Sequence, residues 1–314
     1  MVLLVPDLFP SLVTGQLRKA TGVSDINVAR HSEAAKSGVQ LVWFPWNGMT
    51  WTSPLPSVVT VHDLWPFAAP SPDERKRARE QSHYLQAVES ARRFIAVSRF
   101  TAGELVAHLN IDAARIDVIP NGVPRLTPTD ATPARLPDAD RYVLFVGEAE
   151  PRKDLPTLVS AASLLPEALR ASIVFVVAGK TTDTVSDALR AAGVRFSIEG
   201  EVSDERLASL YAGASVFAFP SRYEGFGLPV LEAMSFGVPV IASDAPAVKE
   251  VAGDAALIFP GGDANALASS IERVLNDAAL STRLAQTGRA RAASLTVELC
   301  AERTLEAFGR ALAA

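Results

Sequence analysis

A single cysteine, Cys300, occurs in 314 residues, which excludes an internal disulfide and suits a reducing compartment. No run approaches the roughly 18 apolar residues that a bilayer-crossing helix needs. Basic residues hold no majority: 30 Lys and Arg face 35 Asp and Glu, a net charge of −5, which argues against a broad nucleic-acid-binding surface. The opening MVLLVPDLFP lacks a basic n-region, and Pro6 and Asp7 interrupt its apolar stretch. It therefore does not read as a signal peptide, and a cytoplasmic location is expected. Low-complexity segments and short-period repeats are also missing. What remains is a composition of 48% hydrophobic and 21% charged residues, ordinary for a globular chain, with room for two domains of roughly 150 residues each.

From residue 142 onward the pattern alternates β and α. Strands are expected at 142–146 (YVLFV), 173–178 (IVFVVA), 194–198 (VRFSI), 215–219 (SVFAF) and 238–242 (VPVIA), and helices at 154–165, 183–192 and 203–212. Several of these runs are almost wholly apolar, as parallel strands covered on both faces must be. The first part repeats the theme with strands at 40–44, 57–61, 93–97 and 115–119 and a long charged helix at about 72–91. The stretch 124–140, PRLTPTDATPARLPDAD, reads as an exposed linker. Alternation of this kind implies two doubly wound α/β domains, which leave a cleft suited to a ligand. The expected divisions are 1–123, the linker 124–140, 141–295, and a C-terminal helix segment at 296–314.

The strand at 215–219 leads into SRYEGFGLPVLE. Gly225 and Gly227 are free to take positive φ, Pro229 suits the first helical residue, and Gly237 suits the stop. A helix over 229–236 puts Glu224 in the loop at the carboxyl end of a strand and Glu232 near the first turn, where exposed helix N–H groups favour an anion. Read alone, Glu232 is equally well a dipole-complementing cap or a ligand contact. After strand 142–146 come Gly147 and then EAEPRKDL, with Arg152 and Lys153 just ahead of a helix. Two cations at a helix N-terminus conflict with the macrodipole unless an anion neutralises them. Lys180, after Gly179, is a weaker phosphate contact on the same rim.

EGFGLPVLEAMSFGVPVIASD, VGEAEPRKDL, VHDL and FIAVSRFTAGEL…IDVIPNGV together resemble retaining glycosyltransferases of the GT-B fold, family four, in the mannosyltransferase-like branch. The likeness runs from about residue 40 to the C-terminus, with the motifs in the family's order. It implies two Rossmann-like domains facing a cleft, the N-terminal one shortened, with the C-terminal helix (about 296–312) packing back toward it. It also implies roles residue by residue. Glu224 lies near the donor sugar and Glu232 at the ribose hydroxyls, while Arg152 and Lys153 hold the donor diphosphate. Gly225, Phe226, Gly227 and Leu228 give backbone contacts, Val202 meets the nucleobase, and His62 approaches the sugar. Asp63 serves equally as the N-cap of the next segment.

Two departures stand out. Glu148 is an acid beside the expected diphosphate, unfavourable unless it points away or pairs with Arg152. The family's glycine-rich loop after the first strand is not evident, Gly15 being the nearest candidate. The resemblance implies transfer from a GDP- or UDP-linked sugar, retaining anomeric configuration, to a glycan, lipid-linked or small-molecule acceptor. No cofactor or metal is expected, and Asp138-Ala139-Asp140 reads as a solvated part of the linker. A non-catalytic nucleotide-sugar-binding subunit is the alternative, and a phosphorylase or epimerase on the same scaffold is a further rival. DERKRARE at 73–80 allows contact with anionic lipid, but a solvated helix face balanced by Glu74 and Glu80 is preferred.

Overall fold

Near-continuous apolar strands need cover on both faces, and the structure, a computed structural model, supplies it in two units. Residues 2–5, 27–36, 38–123, 131–134 and 141–314 are described. The expectations placed on Gly15, on Asp138–Asp140 and on most of 124–140 lie outside these residues.

The first unit draws on residues up to Ala96, on Ala102–Ile119 and on Glu302–Ala314. In it β1 (Val2–Val5) pairs in parallel with β2 (Asn27–Arg30), neither of them anticipated from sequence. A second, four-stranded parallel sheet runs β3 (Val42–Phe44), β4 (Ser57–Val61), β5 (Arg93–Ala96), β6 (Ile116–Val118) in spatial order. A short helix α1 (Trp65–Ala68) and the long α2 (Glu74–Ser90) connect β4 to β5, and α3 (Arg99–Leu109) leads toward β6. Asp73 caps α2 through Arg75 N and Lys76 N. Phe44, Val59, Phe94, Tyr84 and Leu105 fill the core. Arg93 grips Asp117 across β5 and β6 (Nε–Oδ2 2.8 Å, Nη2–Oδ1 3.1 Å), and Arg310 reaches the same carboxylate at 3.0 Å.

The second unit comprises Val97–Thr101 and Pro120–Ala301. Its chain runs β7 (Tyr142–Val146), α4 (Leu155–Leu164), α5 (Glu167–Ser172), β8 (Val174–Ala178), α6 (Asp183–Ala191), β9 (Phe196–Gly200), α7 (Asp204–Gly213), β10 (Val216–Phe219), α8 (Leu228–Ser235), β11 (Val240–Ser243), α9 (Pro246–Ala252), β12 (Ala256–Phe259), α10 (Ala264–Asn276) and α11 (Ala278–Ala293). The last helix, α12 (Val297–Ala313), begins in this unit and ends in the first. All six strands are parallel, in the order β12-β11-β10-β7-β8-β9. Alternation along each strand divides the side chains between two cores. Tyr142 and Leu144 face one with α7 and α8, while Val143 and Phe145 face the other with α4 and α10.

Sequence pattern located β7 and β4 to the residue and the other anticipated strands to within two. It did not anticipate β12, α9, α10 or α11. Part of the expected exposed linker is packed instead: Ala131 and Ala134 lie against the second unit's core, and Ala134 N donates to Ser209 O at 2.8 Å.

One close approach fixes how β8 meets its neighbour's loop. Gly179 has φ +131°, and a Cβ there would stand 2.2 Å from the carbonyl oxygen of Gly147. Gly179→Ala combines backbone strain with a clash against backbone, so thermal melting should show a loss of about 2–4 kcal/mol. A variant melting with the wild type would contradict this packing.

Candidate functional site in the second unit

The order β9-β8-β7-β10-β11-β12 reverses direction between β7 and β10. In open α/β sheets the loops leaving the carboxyl ends of the strands at such a point diverge and leave a crevice. The two loops here are Gly147–Asp154 and Pro220–Gly227, those that the sequence singled out.

In the first loop Gly147 N donates to Ala178 O (2.9 Å) and Ala149 N to Lys180 O (2.8 Å), holding the loop over the end of β8. Pro151–Lys153 forms a 3-10 turn, and Asp154 follows with a left-handed backbone, φ 48° and ψ 41°. That uncommon conformation in a non-glycine residue is held by its buried carboxylate, whose Oδ2 accepts from Thr157 Oγ1 (2.7 Å) and Arg222 Nε (2.6 Å). Arg222 N donates to Arg152 O at 2.8 Å, so backbone and side chain both tie the loops together.

Glu224 is the centre of this arrangement. Its Oε1 accepts from Lys153 Nζ at 2.6 Å and its Oε2 from Arg152 Nη1 at 3.1 Å. Lys153 is 9% exposed and Glu224 8%. Arg152 also donates from Nε to Glu150 Oε2 at 2.7 Å, and Lys153 Nζ lies 5.4 Å from the centre of the Phe219 ring. The anion that the helix-terminus argument demanded is thus within the protein. Of the nearby acids it is Glu150, not Glu148, that joins Glu224 on Arg152.

Beyond Glu224, the Gly225 carbonyl accepts from the hydroxyls of Ser98 (2.6 Å) and Thr101 (3.0 Å). Gly225 does not adopt positive φ; Gly227 does, at +110°, as the N-cap of α8, and Gly237 at +72° ends that helix as anticipated. The helix starts at Leu228, one residue before the expected start, with Pro229 still in its first turn. Glu232 consequently sits in the second turn, and no side chain caps α8, so it is not a cap. Its Oε2 accepts from Tyr211 Oη at 2.9 Å. Burial raises the Glu232 carboxyl above the usual carboxylate range, the Tyr211 hydrogen bond opposes that rise, and the charge of Asp204 adds to it. Tyr211 is pushed well above an ordinary phenol, by burial and then by the charge of Glu232.

Lys180 lies exposed beyond β8, paired with Glu201 at 2.9 Å; the hydrogen bond to Glu201 and its charge raise the lysine. Val202, beyond β9, is half-buried against the α7 and α8 core. The second unit therefore unites Arg152, Lys153 and Glu224 directly, continues through Gly225, Phe226, Gly227 and Leu228, and carries Gly147, Lys180 and Val202 on the same strand rim. His62 belongs to the first unit. There it directly follows β4, with its ring Nε2 2.9 Å from Pro45 O and its ring centre 4.7 Å from that of Trp46. Asp63 Oδ1 accepts from Trp65 N at 2.9 Å, but the N-cap of α1 is Leu64, not Asp63.

Sequence reasoning missed Asp154, Arg222, Tyr211, Ser98 and Thr101. Asp154 carried a signal, an acid immediately before a Pro-containing helix start. Tyr211 carried none beyond its place in an apolar helix stripe. Among the described residues no group of three or more His, Cys, Asp or Glu could hold a metal ion, and no helix is long and apolar enough to cross a membrane.

Residues 128–291 match the family described as glycosyl transferases group 1, and residues 28–125 match Glycosyltransferase Family 4. The chain belongs to the group 1, family 4 glycosyltransferases. It is 34% identical over 271 residues to O-antigen chain mannosyltransferase B of Escherichia coli, covering 80% of this chain and 70% of that one. It is 29% identical over 256 residues to D-inositol 3-phosphate glycosyltransferase of Salinispora arenicola, covering 73% of this chain and only 57% of that one. In fold it is similar to sucrose-phosphate synthase of Thermosynechococcus elongatus (TM-score 0.73, 23% identity, 98% of this chain and 80% of that one). It is likewise similar to Anabaena HepE in complex with UDP and glucose (TM-score 0.74, 17% identity, 94% and 88%). These likenesses establish two parallel-sheet, Rossmann-like domains of GT-B type.

Removing one member of a buried ion pair strands the other. Glu224→Leu and Lys153→Met should each destabilise the protein by about 3–5 kcal/mol, and the double variant by much less than their sum. Additive losses in urea unfolding would contradict the pairing.

Proposed function

We propose that the chain transfers a sugar from a nucleoside diphosphate sugar to an acceptor hydroxyl, with retention of anomeric configuration. The observation that carries this reading is the pairing of Glu224 with Arg152 and Lys153 at the switch point of the sheet. It is a cation pair already matched to a bidentate anion. In the proposed cycle the donor diphosphate replaces the Glu224 carboxylate against Lys153 and Arg152. Backbone N–H groups at Gly225–Leu228 and the N-terminus of α8 add to its binding. Glu224, released, accepts from hydroxyls of the sugar. Glu232 accepts from the ribose hydroxyls, the main chain at Val202 meets the base, and Lys180 is a peripheral phosphate contact.

The transfer step breaks the bond between the anomeric carbon and the diphosphate oxygen. The acceptor oxygen attacks from the same face, and its proton passes to the departing phosphate oxygen. Negative charge grows on that diphosphate, where Arg152, Lys153 and the helix terminus stabilise it without a metal ion. The mannosyltransferase name of the E. coli relative supports a mannosyl donor, GDP- or UDP-linked. The acceptor belongs to the glycan, lipid-linked or small-molecule classes. The lone cysteine supports action in the cytoplasm.

A thermal-shift panel of UDP, GDP, ADP and dTDP ligands should show stabilisation by one base, by mass action. Glu232→Ala and Lys153→Ala should weaken binding of that nucleotide about tenfold or more. Glu224→Ala and His62→Ala should chiefly reduce transfer. The reading is lost if calorimetry finds no nucleotide or nucleotide-sugar binding by the intact chain. Donor binding without transfer or hydrolysis across a broad acceptor panel would favour a non-catalytic subunit.

A further inference from the structure

Tyr211 carries a buried polar atom that packing does not call for. It stands in the last turn of α7, fully buried, its ring stacked on Phe236 (centroids 5.6 Å apart, 26° between planes) and tilted against Phe217 (5.8 Å, 59°). Phenylalanine would fill that space. Burying a phenol hydroxyl costs about 1–3 kcal/mol unless it is hydrogen-bonded. The hydroxyl meets that requirement through Glu232 Oε2, 2.9 Å away on α8. Glu232 Oε1 accepts from no group among the described residues. A glutamate left alone on a helix would sample several rotamers; this one is tethered at a single oxygen.

We infer that Tyr211 is a positioning residue for nucleotide binding: its hydroxyl anchors Oε2 of Glu232 so that Oε1, and the remaining lone pair of Oε2, face the vicinal hydroxyls of a ribose. This rests on the donor-site reading of Glu232 above. The bond fixes the rotamer before the ligand arrives, so ordering costs less on binding. It also favours the ionised carboxylate, the form that accepts from both hydroxyls.

The charged surroundings of Glu232 make that second effect readable. From α7 it faces Tyr211 and Asp204, the latter raising its pKa. On α11, which packs against α8, Arg289 directs Nη2 to Phe236 O and Arg291 is bonded to Val251 O and Glu250 O. On α9 Glu250 accepts from Arg99 N and Phe100 N, and Lys249 is exposed. The strands β10 and β11 contribute no titratable side chain. The Glu232 carboxyl takes up its proton above the ordinary value, so nucleotide binding weakens as pH falls through that raised pKa. Without the Tyr211 hydroxyl the pKa rises further and the acid limb moves to higher pH.

The test titrates UDP and GDP into wild type, Tyr211→Phe, Glu232→Gln and the double variant from about pH 5 to about pH 8. For the nucleotide that binds wild type, Tyr211→Phe should raise Kd about fivefold, leave kcat at saturating donor unchanged and shift the acid limb upward. In the Glu232→Gln background the same substitution should change neither Kd nor the limb. Should Tyr211→Phe not fold, 3-fluorotyrosine placed at position 211 keeps the ring and donates more strongly, and the limb should shift downward. Wild-type affinity and an unmoved limb in the modified protein would overturn the inference, as would an equal loss in the Glu232→Gln background. Wild type that binds neither nucleotide sinks the donor reading first, and this inference with it.

Discussion

Glu224 accepts from two cations at once, and the surrounding loops are built around that fact. Lys153 and Glu224 are almost fully buried, so neither charge is tolerable without the other. Keeping them together requires the loops after β7 and β10 to run side by side. The structure secures this through the backbone bond from Arg222 to Arg152 and the Arg222–Asp154 pair. Asp154 accepts a left-handed backbone to make that pair, and Ser98 and Thr101 pin the Gly225 carbonyl on the other side. These contacts lie at the point where the sheet reverses its winding, at the carboxyl ends of β7 and β10.

The proposed chemistry uses the same balance. A cation pair that holds an internal carboxylate has already met the cost of desolvation, and a diphosphate offers a stronger anion in its place. Exchange of one anion for another preserves the pairing of Lys153 and frees Glu224 for the sugar. Glu232 sits in a different electrostatic setting: among the described residues no cation pairs with its carboxylate, burial disfavours its charge, and the Tyr211 hydroxyl opposes that. In the proposed reading the two glutamates of one segment therefore do different work, because one is matched by cations and the other by a neutral donor.

Much of this was legible in the sequence. Period and apolarity marked parallel strands because a strand buried on both faces has few other ways to be written. The glycines and prolines of SRYEGFGLPVLE marked a loop feeding a helix, and Gly227, Pro229 and Gly237 behave as their chemistry requires. Arg152 and Lys153 announced an anion, although not that the protein carries one of its own in Glu224. The partners that hold the site were not legible, since Ser98, Thr101, Tyr211 and Arg222 reach it through contacts remote in the chain. Glu232 looked like a first-turn acid because the helix start was set one residue late. The strands β1, β2 and β12 span only four residues each and α9 only seven, too short to show a period, whereas α10 does carry a helical apolar spacing in Leu267, Ala268, Ile271 and Val274 that went unread.

In the proposed cycle Glu224 and the donor diphosphate compete for one pair of cations. Calorimetric titration of the bound nucleoside diphosphate into Glu224→Gln tests it most directly. With the competing charge removed and the side-chain shape kept, binding should be at least as tight as in wild type, while Lys153→Met should bind more weakly. Weakening by Glu224→Gln as large as that by Lys153→Met would contradict it.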